Sequence, residues 1–497
     1  MQVSDILAAK SNQKNGTWLS LSQHLIDTAG IMQYLLSNYV PPSVITASGL
    51  NQEHFCNLAV FIAAVHDIGK ATAVFQGKIC DSLNGFANWL SSNSIDVSTS
   101  EMGEYSPHAL AGAAILNCRF EIDESICDII ASHHGIPRTS CKETKFHYQL
   151  EHYQNNYFNE ESKEKYAEAW IEIFRYASEL ADVSEIKSLS VQAQMILSGL
   201  LIMADWIASN EQFFPLAEPF TLCTDQNRLI NGLKALEIPP YKDFGTSYMD
   251  EDLFSTRFSF LPNEVQKGIM EIVNGEMEPG IMIIEAPMGL GKTEAALAAA
   301  EVMSSLVGSG GVFFGLPTRG TADGIFPRVK NWVSVVSRDE KVSISLSHSS
   351  AGFNKEFSDI KALTCDESGG ISVNSWMLGR YRKLLPDFVI GTVDQALFST
   401  LKKKFIMLLH LGLSGKTVII DEVHSYDDYM SEYMYSMLSW LGAYKVPVVL
   451  LSATLTKEKR GRLIKAYTGK ELTEDSDAYP AVTWSDGENV DSVNSFV

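Results

Sequence analysis

The sequence predicts a multidomain protein in which an all-α domain precedes an α/β domain. The chain has 497 residues, which is too long for a single hydrophobic core. Apolar residues recur at helical spacing in the first part, whereas short β-branched runs alternate with helical stretches in the second. We therefore expect a helical domain over residues 1–235, a linker over 236–258 and an α/β domain over 259–497.

The helical domain is predicted from stretches in which apolar residues return every three or four positions. These are "LIDTAGIMQYLL", "HALAGAAILNC", "SICDIIASHH", "KYAEAWIEIFRYASEL" and "VQAQMILSGLLIMADWIAS". The linker follows as "EIPPYKDFGTSYMDEDLF", where prolines, turn residues and acidic residues favour an irregular connection.

The α/β domain is predicted from short apolar runs, which are "GIMIIEAP", "GVFFGLP", "DFVIGT", "TVIIDE" and "VPVVLLSAT". Helical stretches such as "EAALAAAEVMSSL" lie between them. Continuous apolar strands flanked by helices are typical of a parallel sheet that is covered on both faces.

The composition narrows the class of protein. A net charge of −21 argues against a protein that coats DNA phosphates, so any nucleic-acid contact is expected in a local groove. The chain has no run of about 18 uncharged apolar residues and does not begin with a signal-peptide pattern. We expect a cytoplasmic protein without a membrane segment. The 7 scattered cysteines predict neither a disulfide framework nor a zinc ribbon.

The stretch "IIEAPMGLGKTEAAL" predicts a phosphate-binding loop between a strand and a helix. Gly289 and Gly291 allow backbone N–H groups to close on phosphate oxygens, and the helix N-terminus adds its positive dipole. Lys292 is placed to reach the terminal phosphates, and Thr293 to bind Mg²⁺. The strict pattern has glycine at the first position, where this chain has Ala286.

A second acidic motif supports a nucleotide site. In "KTVIIDEVHSYDDYM" a buried strand ends at Asp421 and Glu422. At the carboxyl edge of a parallel sheet, Asp421 is placed to hold Mg²⁺ and Glu422 to polarise the attacking water.

The stretch "FIAAVHDIGK" places an imidazole beside a carboxylate at the end of an apolar helix. Burying His66 and Asp67 costs several kcal/mol unless they are hydrogen-bonded, paired or bound to a metal. Adjacent residues of a regular helix point about 100° apart, so we expect Gly69 to end the helix there.

More ionisable residues lie within or beside apolar helices of this domain. Together with His66 and Asp67 they offer imidazole and carboxylate groups, which suit Mn, Fe, Co, Ni or Zn, and a bridging carboxylate suits a two-metal site. These further candidates are His24, His108, His133, His134 and Asp205.

The second half resembles a superfamily 2 helicase of the DEAD/DEAH-like group. The motifs that carry this resemblance are the phosphate loop, Asp421-Glu422-Val423-His424, "LSATL", "LPTRGTADG" (316–324), "VIGTVDQAL" (389–397) and "FLPNEVQ". The resemblance implies a RecA-like lobe that binds ATP with Mg²⁺, in which Gln266 contacts adenine. It also implies that 316–324 and 389–397 hold the backbone of a single DNA strand.

The order His, His-Asp, His, His-His, Asp resembles the HD nuclease domain of the CRISPR-associated type I helicase–nucleases. The resemblance implies one divalent ion on His24, His66, Asp67 and Asp205, and another on Asp67, His108, His133 and His134. It implies Fe, Mn, Co or Ni as the metals, Asp67 and His66 at the catalytic centre, and Lys70 as a phosphate contact. Single-stranded DNA and an RNA-guided surveillance complex are the implied partners.

A helicase of this kind has two RecA-like lobes, and the chain ends about 40 residues after "LSATL", before the second lobe. We therefore expect weak or absent ATP hydrolysis, and either a truncated product or a second lobe on another chain.

Two alternatives remain open. An HD phosphohydrolase acting on small nucleotides would need no strand-binding segments, and a non-catalytic recruitment module would need no intact set of ligands. Cleavage of circular single-stranded DNA separates the nuclease from the first alternative. Chelator-sensitive cleavage that Asp67→Ala abolishes excludes the second.

Overall fold

The computed structural model describes residues 2–97, 107–136, 163–184, 188–244, 253–275, 278–338, 340–363, 370–472 and 478–493. The chain forms two compact units. One comprises Met1–Ser37 with Leu50–Glu237, and the other comprises Asn38–Gly49 with Ile238–Val497.

The first unit is mainly helical, as predicted. Apolar faces of its helices supply the buried core, with Phe55, Phe61 and Tyr166 among the largest buried side chains. Its helices are Val3–Ile6, Leu21–Asn38, Gln52–Val65, Ala73–Ser82, Phe86–Ser92, His108–Phe120, Glu124–Ser132, Lys163–Leu180, Val191–Ala208 and Arg228–Leu236.

A β-hairpin in the first unit was not predicted. Strand β1 (Ala8–Asn12) pairs antiparallel with β2 (Thr17–Ser20), and the turn contains Asn15 and Gly16. Gly16 has φ +71°, in the left-handed region that glycine occupies without strain. Asn-Gly between two strands is a strong hairpin signal, so the sequence did contain the information.

The helix Val191–Ala208 is long and apolar enough to cross a membrane, and 67% of this stretch is buried inside the protein. Core helices of globular proteins pass the same test. Among the described residues, the pair Gln52–Lys70 and Ala73–Ser82 passes it only if both count as one span, and the pair is bent by 72°.

The second unit contains a nine-stranded sheet in the order β11-β10-β3-β9-β8-β4-β7-β5-β6. The strands β3 to β9 pair in parallel, while β10 pairs antiparallel with β3 and β11. The strands are β3 (Ile281–Glu285), β4 (Gly311–Leu316), β5 (Val342–Ser347), β6 (Ile371–Ser372), β7 (Phe388–Thr392), β8 (Lys416–Ile420), β9 (Val448–Ser452), β10 (Ala481–Ser485) and β11 (Val490–Val493).

The five apolar runs of the sequence form β3, β4, β7, β8 and β9, and every residue of these strands is buried. Among the described residues from 253 onward, two helices precede β3 and the other helices lie between strands, as expected for parallel pairing. They are Leu253–Phe258, Glu264–Val273, Lys292–Val307, Arg319–Ser337, Lys355–Leu363, Asp394–Leu397, Ile406–Ser414, Asp428–Ala443 and Lys457–Thr468. The predicted fold class, an all-α domain followed by a RecA-like α/β lobe, is confirmed.

The division into units differs from the predicted boundaries in two places. Residues 38–49, including the helix Pro42–Ser48, belong to the second unit. There Ser43 N–H donates to Gly308 O at 3.2 Å, and Tyr39 Oη donates to Leu385 O at 2.7 Å. Within the predicted linker, the helix Leu253–Phe258 buries Leu253 and Phe254 in the core of the second unit.

Candidate metal centre and nucleotide site

Seven ionisable side chains of the first unit converge on a site that extends from its interior to its surface. They come from three helices and from the turns that follow two others. All seven were predicted as metal ligands from the sequence: His24, His66, Asp67, His108, His133, His134 and Asp205.

The turn after the helix Gln52–Val65 presents His66 and Asp67 to the same site. Asp67 has φ −104° and ψ 15°, outside the helix, and the tight turn Ile68–Lys70 follows. Our prediction that Gly69 ends the helix is wrong, because the helix ends at Val65. Gly69 is needed for close packing instead: a Cβ atom there would lie 2.0 Å from His108 O and 2.4 Å from Gly112 N.

One group of potential ligands consists of His24, His66, Asp67 and Asp205, whose donor atoms all lie within 4.8 Å of one another. His24 Nε2 lies 3.0 Å from Asp67 Oδ2 and 3.4 Å from Asp205 Oδ1. His66 Nε2 lies 3.3 Å from Asp67 Oδ2 and 3.7 Å from Asp205 Oδ1. Two imidazoles and two carboxylates thus face a common centre.

A second group consists of His108, His133 and His134, which also lie within 4.8 Å of one another. Asp67 Oδ1 is 3.4 Å from His108 Nε2 and 3.6 Å from His133 Nε2. The two oxygens of the Asp67 carboxylate therefore face different groups of ligands. This is the arrangement that a bridging carboxylate requires.

The donor atoms fit divalent metal ions. His24 Nε2, His66 Nε2 and Asp67 Oδ1 are buried and have no hydrogen-bond partner among the described residues. Nδ1 of His66 lies 2.9 Å from Ala63 O, and Nδ1 of His133 lies 2.7 Å from Ile130 O. These carbonyl groups hold a proton on Nδ1, so Nε2 of each imidazole presents its lone pair to the site when the ring is neutral.

The electrostatics favour neutral imidazoles in the second group and charged carboxylates throughout. Burial lowers the pKa of His108 to about 2 and that of His133 to about 3. Burial also disfavours protonation of His66, but the carboxylate of Asp67 outweighs it and raises the pKa of His66 to about 9. Although burial opposes its ionisation, Lys70 and His66 hold the pKa of Asp67 well below its usual range.

Lys70, a predicted phosphate contact, is buried and lies directly beside the bridging position. Its Nζ is 2.5 Å from Asp67 Oδ2. Gln76 holds the turn in place, since its Nε2 donates to Lys70 O at 2.7 Å and to Ala8 O at 3.0 Å. In this structure the ammonium group thus neutralises the carboxylate.

Lys10 and Ser209 were not predicted as parts of this site. Lys10 Nζ donates to Ser209 Oγ, and Ser209 Oγ donates to Asp205 Oδ1 at 2.9 Å. Burial lowers the pKa of Lys10 to about 8. Ser209 follows Asp205 by four residues on the same helical face, which is a local signal, but Lys10 arrives through the unpredicted hairpin.

The nucleotide site of the second unit is a cavity of about 470 Å³ at the end of β3, lined by residues that include Gly289, Gly291, Lys292, Thr293, Asp421 and Glu422. Lys292 begins the helix that follows the loop, and its Nζ donates to Ala286 O at 2.5 Å and to Pro287 O at 3.3 Å. Gly291 has φ +74°, and a Cβ atom there would lie 2.4 Å from Gln266 Nε2.

Gln266, predicted to contact adenine, lines the same cavity. Its carboxamide is held by protein groups: Nε2 donates to Gly291 O at 3.1 Å, and Oε1 accepts from Asn263 N–H at 3.0 Å. Asn263 also donates from Nδ2 to Leu290 O at 3.1 Å. Asn263 was missed by the sequence analysis, although Asn followed three residues later by Gln is a helix-capping signal.

The acidic motif is connected to the motif "LSATL" by a histidine. His424 Nε2 lies 3.2 Å from Glu422 Oε2, and His424 Nδ1 accepts the Ala453 N–H at 3.3 Å. Burial and the neighbouring Glu422 raise the pKa of Asp421. A cation between Asp421 and a triphosphate would therefore reduce the repulsion between the two adjacent carboxylates.

Two family descriptions match this chain. Residues 9–214 match the family described as "Cas3, HD domain", and residues 263–461 match "DEAD/DEAH box helicase". The first match contains all seven potential ligands, and the second contains the nucleotide cavity residues Gln266, Lys292 and Asp421.

The chain is 36% identical to the CRISPR-associated nuclease/helicase Cas3 of Streptococcus thermophilus, over 99% of this chain and 58% of that relative. It is 27% identical to the CRISPR-associated endonuclease/helicase Cas3 of Thermus thermophilus, over 97% of this chain and 53% of that relative. The chain thus spans a little more than half the length of these relatives.

Solved structures show the same fold. The crystal structure of T. fusca Cas3 with AMPPNP matches 99% of this chain and 56% of that chain, with a TM-score of 0.79 and 25% identity. A chain of a CRISPR RNA-guided surveillance complex, described as pre-nicking, matches 98% of this chain and 53% of that chain, with a TM-score of 0.66 and 24% identity.

Proposed function

We propose that the chain belongs to the Cas3 family of CRISPR-associated HD nuclease–helicases and that it degrades target DNA in antiviral defence. The proposed activity is metal-dependent cleavage, preferentially of single-stranded DNA, coupled to ATP-dependent helicase action. The observation that carries the nuclease assignment is the position of the buried Asp67 carboxylate between two groups of potential ligands.

We assign two divalent transition metal ions to the first unit, with Fe, Mn, Co or Ni as the preferred metals. His24, His66, Asp67 and Asp205 would hold one, and Asp67 with His108, His133 and His134 the other. Bound ions would supply an activated water and neutralise charge on the phosphodiester. Lys70 then becomes available for a phosphate oxygen, because a metal would replace it as the counter-charge of Asp67.

We assign ATP with Mg²⁺ to the cavity beside the phosphate loop. Gly289 and Gly291 would direct backbone N–H groups to phosphate oxygens, and Lys292 would leave the Ala286 carbonyl for the terminal phosphates. Asp421 would hold the cation and Glu422 would orient the attacking water. The crystal structure of T. fusca Cas3 with AMPPNP, which has the same fold at 25% identity, supports this assignment.

The proposed partners are single-stranded DNA and an RNA-guided surveillance complex. The proposed location of the protein is the cytoplasm, without a membrane partner. The second partner is supported by the relative found in a complex of that kind. A separate chain carrying a second helicase lobe has no support in the comparisons.

The test is cleavage of circular single-stranded DNA by the protein in Mn²⁺, Co²⁺ or Ni²⁺. We expect cleavage that EDTA stops and that Asp67→Asn abolishes. Asp182→Asn is the matched control, because this substitution removes the same charge from a residue that lies on the surface. Hydrolysis of nucleoside phosphates with intact circular DNA would instead show a small-nucleotide phosphohydrolase.

A further inference from the structure

A cluster of cations on the second unit lies outside both sites described above. It is formed by residues 376–383 ("WMLGRYRK") and 398–405 ("FSTLKKKF"), which contain no carboxylate. The rings of Tyr381 and Phe405 have their centroids 4.9 Å apart, so the two segments form one surface, here named the basic-aromatic patch. Its cations are Arg380, Arg382, Lys383, Lys402, Lys403 and Lys404.

Cations and aromatic rings alternate across the patch. Lys403 Nζ lies 3.4 Å from the centroid of the Phe398 ring, and Lys404 Nζ lies 5.0 Å from that of Phe405. The guanidinium carbon of Arg382 lies 4.4 Å from the centroid of the Trp376 ring. The charges are thus held in defined positions over rings that are only partly or barely exposed.

The positive charge of the three lysines in the second patch segment is not neutralised by ion pairs among the described residues. Lys402, Lys403 and Lys404 are exposed and form no ion pair with a carboxylate in the part of the chain that the structure describes. Elsewhere on the same unit, exposed cations do pair: Lys267 with Glu264 at 2.8 Å, and Arg462 with Glu432 at 2.6 Å. A local positive potential therefore remains on a protein whose net charge is −21.

We propose that the basic-aromatic patch binds single-stranded DNA through its backbone phosphates, with unstacked bases against the exposed parts of Tyr381, Phe398 and Phe405. Proteins that bind single strands without sequence preference combine a basic surface with aromatic rings in this way. An acidic protein surface would be attracted by the same cations, but it would make no use of the alternating rings. The inference rests on the proposed function and adds a DNA contact to it.

The patch extends the region that the helicase resemblance assigns to DNA. Segment 389–397 has that assignment, and the two segments of the patch lie before and after it in the chain. The strand β7 and the short helix Asp394–Leu397 form most of segment 389–397, and the second patch segment follows this helix directly. A single DNA strand held by residues 389–397 could therefore continue onto the patch.

The test is the salt dependence of binding to a fluorescent oligothymidine, measured by anisotropy with the full chain and without divalent metal. The variant Lys402→Gln/Lys403→Gln/Lys404→Gln removes three exposed charges. The control Lys355→Gln/Lys445→Gln/Lys470→Gln removes three exposed charges elsewhere on the unit. Each phosphate contact contributes about 0.7 to the slope of log K against log salt, so the patch variant should lower this slope by about 2.

The control variant should keep the slope of the unchanged protein. Equal slopes for the patch variant and the unchanged protein would overturn the inference while leaving the proposed function in place. A patch variant that binds the oligonucleotide normally but no longer binds the surveillance complex would overturn it in favour of a protein partner. Absence of oligonucleotide binding by the unchanged protein would contradict the inference and the proposed function together.

Discussion

Arg460 donates a hydrogen bond from Nε to Oε2 of Glu285 at 2.6 Å, and both side chains are buried. Glu285 ends β3 directly before the phosphate loop, while Arg460 lies in the helix that follows "LSATL". The other oxygen of Glu285 accepts the Leu455 N–H at 2.8 Å. One carboxylate thus joins the strand before the nucleotide site to the loop and the helix after β9.

Removing this carboxylate should destabilise the second unit. We expect Glu285→Ala to lower the free energy of unfolding by about 3–5 kcal/mol, because the buried Arg460 loses its counter-charge. Urea unfolding followed by tryptophan fluorescence measures the change. Glu264→Ala is the control, since its pair with Lys267 is exposed and should contribute less than about 1 kcal/mol. Equal effects of the two substitutions would show that the buried pair is not a structural link.

The position of Asp67 predicts how many metal ions each variant retains. Asp67→Asn should weaken the binding of both ions, because the two carboxylate oxygens of Asp67 face different ligand groups. Asp205→Asn should weaken the binding of only one ion, the one held by His24 and His66. The measurement is the number of bound Mn²⁺ or Co²⁺ ions per chain, by titration calorimetry or elemental analysis. Loss of one ion in both variants would contradict the bridging role.

Lys10 is expected to act as a positioning residue for Asp205, through Ser209. Residues that orient a ligand typically change metal affinity by about 10-fold to 100-fold when they are removed. We therefore expect Ser209→Ala and Lys10→Met each to lower the affinity for one metal ion by a factor in this range. Lys10→Arg should restore most of the affinity, because it keeps the charge and a donor. Full metal affinity in Lys10→Met would exclude this role.

Asp387 predicts a pH dependence of stability in the second unit. Burial raises the pKa of its carboxyl to about 6, even though Ser343 donates to Oδ2 from N–H at 2.7 Å. The folded protein therefore retains a proton that the unfolded chain loses near pH 4, so stability should fall between about pH 4 and pH 6. Above pH 6 this loss, roughly 3 kcal/mol as an order of magnitude, is complete.

Asp387→Asn isolates this contribution, because an amide cannot ionise and its oxygen can still accept from Ser343. The difference in unfolding free energy between the variant and the unchanged protein should increase from pH 4 to pH 6 in favour of the variant. A constant difference over this range would show that folding does not raise the pKa of Asp387.

The residues that could be read from the sequence are those whose chemistry conflicts with their surroundings. His24, His66 and Asp205 stand out because ionisable groups are rare on apolar helices. The strands of the sheet stand out because their apolar runs are continuous. Lys10 does not stand out, since a lysine in a polar N-terminal stretch is ordinary. Its role depends on the hairpin, which brings it to Ser209, 199 positions later in the chain.

The role of Gly69 also depends on tertiary structure. A glycine after an apolar run favours a helix end, but here it allows the backbone of the turn to approach His108 and Gly112. The assignment of residues 38–49 to the second unit is of the same kind. Local propensity cannot reveal which of two cores a short helix joins, because both offer apolar surface.

The membership of residues 38–49 in the second unit has a practical consequence for dissecting the protein. No single cleavage point separates the two units, because each is assembled from two stretches of chain and the four stretches alternate along the sequence. A recombinant fragment starting at residue 238 would lack Ser43 and Tyr39. The carbonyl groups of Gly308 and Leu385 would then lose the hydrogen bonds that these two residues donate. Fragment studies should therefore co-express a peptide spanning 38–49, or graft it through a circular permutation.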